Sequence, residues 1–468
     1  MQRYTGPFQI MTQRDEDILT VAFSPYLINT FHHLHRIILM KNDNLEVIFA
    51  IGSQDYREVA TLQKNQQPSV FPYLEDLKLV EMVRMTHVWK CHWNKFLIPH
   101  KQEPISAFHN LRSIYMTDCH SINYLFSPLM AKLLVNLKEI KIERCKRIEQ
   151  IVSDRDDKYD EMVTFLSTNT NATLFSHLDS VVLSNLICLK EIGGGKSSGV
   201  TLDQFQGPQA TDDLWYLCQY SRKIDIYNCN LISSLIPFEA IHSMQKLESL
   251  RVTSLESMTE LFETQRANNI RIDVCEGSNG DSVTTTTQWS TNVIEVQLPN
   301  LKTLHIRNCN RLRDVFNFST LESLKRLEEF HVEYCDNIEV IVKEEGGDHV
   351  RSKDVSFRSL KSLKLVCLPN LNGFFLGQNN IEWPLLDTVV IKDWPKMTRF
   401  THGHSTSPEL KYIHAALGKY KVECGLNFDL TSAFQEVWFQ YLCFTKLRNE
   451  SPYITVWTMS SKQTHMHI

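Results

Sequence analysis

The sequence predicts an α/β solenoid, in which successive coils of chain lay short parallel strands side by side on a curved concave sheet. Irregular or short helical segments return along the convex side. Three observations lead there. An apolar phrase recurs, with its clearest copy at Leu111, Ile114, Met116, Cys119, Ile122 and Leu125 and the next at Leu137, Ile140, Ile142, Cys145, Ile148 and Ile151. The leading residues keep one period, since Leu111 to Leu137, Ser221 to Leu247, Leu301 to Leu327 and Leu360 to Leu386 are each 26 residues apart. Inside each phrase, as in Leu304-His305-Ile306, apolar and polar places alternate with the period of a strand.

Eleven copies can be placed, led by Leu34, Leu74, Leu111, Leu137, Leu178, Ser221, Leu247, Leu301, Leu327, Leu360 and Leu386. The L-x-x-L-x-L-x-x-C/N-x-L wording with this period is the leucine-rich repeat, so the solenoid is expected to be a horseshoe of that type. One strand per coil at roughly 4.8 Å gives a sheet about 50 Å long. Places three and five after the leader face the core, and the residues between and beside them face the concave side. Five cysteines (Cys119, Cys145, Cys229, Cys309, Cys335) share the slot where the chain turns away. A small buried group able to bond to nearby backbone fits that slot.

The return segments read as partly helical. Ser127-Pro128 before Met130, Leu133 and Leu134 offers a cap with proline at the first helical place. Ser319-Thr320-Leu321-Glu322 has the wording of a capping box. Polar insertions at 52–68, 153–171, 193–213, 265–292 and 343–355 are expected to be loops at the rim or convex side. The expected organisation is an N-terminal flank over 1–33 (a remnant or cap), the solenoid over 34–409, and a C-terminal cap and tail over 410–468. In that tail Leu410-Lys411-Tyr412-Ile413 suggests a last truncated strand. Leu430 to Leu447, with Phe434, Val437, Trp438, Tyr441 and Leu442, suggests a helix closing the end of the core.

Composition narrows the function classes. With 43% hydrophobic and 22% charged residues the chain is expected to be globular, and a formal charge of −5 gives no electrostatic reason to expect nucleic acid. The start lacks the apolar core of a secretory signal, and no run of about 18 apolar residues appears, so no membrane span and a cytoplasmic location are expected. The twelve cysteines are then expected as free thiols, and Asn171, Asn317 and Asn449 as unmodified acceptor sites.

Candidate chemistry is sparse. Gly193-Gly194-Gly195-Lys196-Ser197 resembles part of a phosphate loop, but Lys190 stands where that motif needs its first glycine. His32, His33 and His35, then His402 with His404 and His465 with His467, form close groups without a recurrent zinc spacing. Cys91-His92 with His87 and His100 comes nearest, in what reads as a Trp-rich loop. No catalytic residue, metal ligand or cofactor is therefore assigned, and no enzyme is expected. The outward strand residues are the candidate protein-binding set: Tyr115, Thr117, Lys141, Glu143, Asp225, Tyr227, Arg251, His305, Arg307, His331, Glu333, Lys364 and Lys392. Their mixed charge and Tyr/Arg content suit a protein partner.

The run from Asn110 to Val152, with Tyr124-Leu125-Phe126-Ser127-Pro128-Leu129-Met130-Ala131-Lys132 inside it and Ile148-Glu149-Gln150-Ile151-Val152 closing it, is similar to a known repeat wording. So is Val88-Trp89-Lys90. The resemblance is to the C-terminal leucine-rich-repeat region of plant coiled-coil, nucleotide-binding disease-resistance proteins, over roughly Phe31 to Phe400. It implies the recognition part of an intracellular immune receptor. Its expected partners are a pathogen effector, a guarded host protein, or a nucleotide-binding receptor module. That module is not recognisable in this chain, so nucleotide binding is not expected of it. Two other readings fit a repeat protein: a substrate-recruiting adaptor of a ubiquitin ligase, and a nonfunctional truncated receptor.

Overall fold

The computed structural model describes residues 13–14, 20–23, 33–51, 71–91, 108–153, 175–190, 220–236, 244–262, 298–321, 323–343, 354–394, 396–397, 399–415, 418–422 and 426. Their centre is one 13-stranded sheet. Its strands in chain order are β1 (Arg36–Met40), β2 (Asp76–Val80), β3 (Ser113–Thr117), β4 (Glu139–Glu143), β5 (Ser180–Ser184), β6 (Lys223–Tyr227) and β7 (Ser249–Thr253). There follow β8 (Thr303–Arg307), β9 (Glu329–Glu333), β10 (Ser362–Val366), β11 (Thr388–Lys392), β12 (Tyr412–Ala415) and β13 (Gly418–Lys421). Each of β1 to β11 begins two residues after a predicted leader, so the register read from the phrase is the register of the sheet. The truncated strand expected near Leu410 is β12.

Consecutive strands pair in parallel without slippage: Ile114 lies against Ile140, Ile140 against Val181, Leu250 against Leu304 and Leu304 against Phe330. Only β13 runs antiparallel, folding back on β12. Such registry follows from burial. A slip of one residue would turn every inward side chain to water. The inward residues form a continuous core from Ala22 to Leu426 that contains all five slot cysteines. The slot behaves as its chemistry predicts, because each thiol donates to the carbonyl two residues back, from Cys145 to Glu143 (3.3 Å) as from Cys309 to Arg307 (3.4 Å). Burial pushes the Cys229 thiol up to about 11.

The residue before that slot is left-handed in all eleven coils, from Lys41 to Asp393, with φ between 51° and 56° and no glycine among them. The turn aims its N–H at the end of the next strand, as in Asp118 to Glu143 O (3.1 Å) and Asn228 to Thr253 O (2.8 Å). That bond extends the ladder by one rung and offsets the strain of a left-handed L-residue.

The return segments correct the helical expectation. Pro128–Leu133 is a helix, capped as expected by Ser127, whose hydroxyl accepts from Met130 N at 3.2 Å. The only other helix among the described residues is one turn, Phe318–Leu321. Ser319 and Thr320 lie inside that turn rather than capping it, because the chain enters it directly from the strand Phe316–Asn317. Elsewhere the return segments form short parallel ladders, such as Tyr124–Phe126 on Gln150–Val152 and Ser234–Ile236 on Glu260–Phe262. Aromatic and branched residues at those places favour strands. His87 and Cys91 likewise bound a strand, not a loop. Between the ladders and the large sheet the core is filled by rings, with Phe49 among Phe23, Phe71, Trp89 and Phe108 at one end. Phe374 and Trp383 play this part at the other.

The strand Thr20–Phe23 pairs with Val47–Ile51, so the outer ladder extends one coil beyond β1. Residues 427–468, with the expected helix at 430–447, lie outside the described residues, as do nearly all of the five polar insertions.

Candidate protein-binding face

Parallel registry sorts the outward side chains into rows that cross the strands. The middle row contains Lys78, Tyr115, Lys141, Val182, Asp225, Arg251, His305, His331, Lys364 and Val390. The row at the last strand position contains Thr117, Glu143, Ser184, Tyr227, Thr253, Arg307, Glu333, Val366 and Lys392. All thirteen sequence-predicted residues fall in these two rows.

They are not equally available. Thr117 is only 3% exposed, because the Arg144 guanidinium lies over it and donates to its hydroxyl at 2.8 Å. It is a covered residue, which corrects its place among contact candidates. The same guanidinium grips Asp118 with two bonds, 2.9 and 2.7 Å, and holds its carboxyl below the usual carboxylate range. Tyr115 sits between two ammonium groups, Lys78 at 4.9 Å and Lys141 at 5.2 Å from its ring centre, and donates to Glu143 at 3.1 Å. Burial first, then Glu143, raises the Tyr115 phenol. Glu333 is enclosed by Lys364 at 2.6 Å and Arg307 at 3.8 Å.

His305 and His331 stack in the middle row. Burial lowers both, and His331, with His305 against it, falls to about 4. Both are therefore neutral at pH 7. Asp225 gives one oxygen to Lys223 at 2.9 Å, while Tyr227 stands 49% exposed beside it.

A second feature of the face went unread in the sequence. The residue just after each leader, and after Leu410 before the last parallel strand, forms a rim row, His35, Glu75, Arg112, Lys138, Asp179, Arg222, Glu248, Lys302, Glu328, Lys361, Asp387 and Lys411, whose sign alternates from Glu75 onward except from Arg112 to Lys138. Ion pairs run along it: Glu75 with Arg112 at 3.4 Å, Glu248 with Lys302 at 2.7 Å and Glu328 with Lys361 at 2.8 Å. The signal was available, one place after every leader. Most rim charge is thus used within the molecule, while the rows beside it keep exposed groups such as Tyr227. No group of three or more metal-ligating side chains occurs among the described residues, and no helix there is long and apolar enough to cross a membrane.

A search of curated proteins finds no significant match. Among solved structures, a leucine-rich cell surface protein from Faecalibacterium prausnitzii A2-165 is 10% identical, covering 86% of this chain and 92% of its own, with a TM-score of 0.19. A score so low leaves the fold to be read from the sheet itself. The profile of plant disease resistance protein RPS2-like leucine-rich repeats matches residues 8–146, 94–206 and 275–400. With in-register coils along that span, the chain belongs to the RPS2-like leucine-rich repeats of plant disease resistance proteins.

Proposed function

We propose that this chain is a noncatalytic recognition module of plant defence, binding protein partners across the concave sheet. The observation that carries this reading is a run of twelve parallel strands whose two outward rows display Tyr, Arg, His and acidic side chains on a rigid frame. Preformed contacts lower the ordering cost of binding. The partners proposed are a pathogen effector, a guarded host protein or a nucleotide-binding receptor module supplied by another chain, and the compartment proposed is the cytoplasm. Residues 34–409 are proposed to form the recognition body, flanked by 1–33 and a cap within 410–468.

The test is co-purification of the full chain from pathogen-challenged plant tissue, repeated with Asp225, Tyr227, Arg251 and Arg307 all changed to Ala. Partners bound by the native chain are expected to disappear from the variant. An unchanged partner set would overturn the reading for the central coils.

A further inference from the structure

We propose that Arg251 receives a carboxylate from an extended acidic peptide, with Asp225 on the neighbouring strand accepting an N–H from the same peptide. This rests on the concave-face reading and names the chemistry of the partner.

The outward places of β1 to β12 carry eight Lys and Arg side chains, and six are occupied within the molecule. Arg36 holds Asp76, Lys78 lies over Tyr115, Lys141 meets Glu143 and Lys223 meets Asp225. Arg307 and Lys364 share Glu333. Arg251 and Lys392 have no hydrogen-bond or ion-pair partner among the described residues. What separates Arg251 is its surroundings. It stands in register between Asp225 and His305, one strand away on each side.

Each of those neighbours presents an orphaned atom. Asp225 Oδ1 and His305 Nε2 are shut off from solvent and make no hydrogen bond. Lys223 holds only the other Asp225 oxygen. His305 Nε2 lies 3.3 Å from Glu329 without closing a well-formed hydrogen bond. Burial, and then the charge of Arg251, disfavours the cationic form of His305. A rotation of the partly exposed Asp225 carboxylate would bring the unfilled Oδ1 to the surface, so three consecutive places in the middle row offer an acceptor, an unpaired guanidinium and an uncharged imidazole, beside exposed Tyr227.

This set selects its ligand. A carboxylate matches the planar fork of arginine. A bare anion such as phosphate would meet repulsion from Asp225, whereas a peptide brings N–H donors beside its acidic side chain. One strand further, the row presents Val182, an apolar surface. Strands are spaced by roughly 4.8 Å and an extended peptide advances about 3.4 Å per residue. Alternate residues of such a peptide share a face, so an apolar residue two places from the acidic one would lie toward Val182.

The experiment uses the full chain and two labelled pools of otherwise uncharged random peptides, differing only in a central Glu or Gln. The Glu pool is expected to be retained about tenfold better, a difference of about 1.4 kcal/mol. Arg251→Gln should bring the two pools to parity and Arg251→Lys should keep part of the preference. Exposed Arg399→Gln should leave the preference intact. Inorganic phosphate should compete with the Glu pool in Asp225→Ala but not in the native chain. Unchanged denaturation midpoints would show that the variants fold.

Equal retention of the two pools, retention of neither, or a preference that survives Arg251→Gln would overturn the inference. Equal retention that vanishes when Asp225, Tyr227, Arg251 and Arg307 are all Ala would leave the concave-face reading standing without it.

Discussion

His305 and His331 lie face to face on adjacent strands, their ring centres 4.2 Å apart and their planes within 11°. Protonating either ring places a charge against its neighbour and near Arg251 or Lys364, with Glu329 and Glu333 opposing only in part. Between its ordinary 6.5 and about 4, His331 takes up a proton in the unfolded chain that the folded sheet refuses. Stability is thus complete above that window and falls as the pH drops through it. The expected loss is roughly 1–2 kcal/mol, moderated because solvent screens a half-buried ring. Urea denaturation across the window should show it, and His331→Gln should flatten the profile. A native profile already flat there would refute the assignment.

Arg144 combines a left-handed backbone, φ 51°, with its grip on Asp118 and Thr117. Two substitutions separate these effects. Arg144→Ala removes the side-chain bonds and is expected to lower the denaturation midpoint only modestly, since the pair is partly exposed. Arg144→Gly loses the same bonds but relieves the backbone, so it should be more stable than the Ala variant by about 1 kcal/mol. Equal denaturation midpoints for the two variants would show that the turn stores no such strain.

Trp383 is buried, stacked on Phe357 with ring centres 4.6 Å apart, and donates to Ser405 Oγ at 3.0 Å. Trp383→Ala should cost about 3–5 kcal/mol. Trp383→Phe, which keeps an aromatic ring but strands the serine, should cost about 1–3 kcal/mol. Coils touch only their neighbours, so amide exchange should rise around 354–406 and stay nearly unchanged over 108–153. A uniform rise would mean that the solenoid opens as one unit.

The two ends of the large sheet are treated differently. β13 closes one end and carries Lys419 and Lys421, whereas β1 has a strand partner on one side alone among the described residues. Its outward Ile38 and Met40 are 50% and 54% exposed. An apolar open edge invites strand pairing, and a lysine discourages it. Concentration-dependent self-association of the native chain is expected by sedimentation velocity, and Ile38→Lys should weaken it several-fold. Identical monomeric profiles for both proteins would dismiss the edge as a contact.

The concave strands were legible because each repeats the same inward brackets, and burial converts that alternation directly into register. Leu304 and Ile306 are as readable in the chain as in the fold. The return strands were not legible, because a run such as Tyr124-Leu125-Phe126 carries too few alternations to tell strand from helical turn. Nor was the covering of Thr117 by Arg144, which depends on the left-handed turn one coil later. The face was readable as a set of outward places. Which of them remain free, as Arg251 does while Lys364 does not, is decided by pairing across strands.

Place-for-place registry has a corollary for how such a chain can change through time. Duplicating or deleting one whole 26-residue period, as between Leu301 and Leu327, moves every later row by a single strand width without disturbing its order. Unequal recombination can therefore edit what the surface spells one letter at a time while the scaffold keeps its grammar.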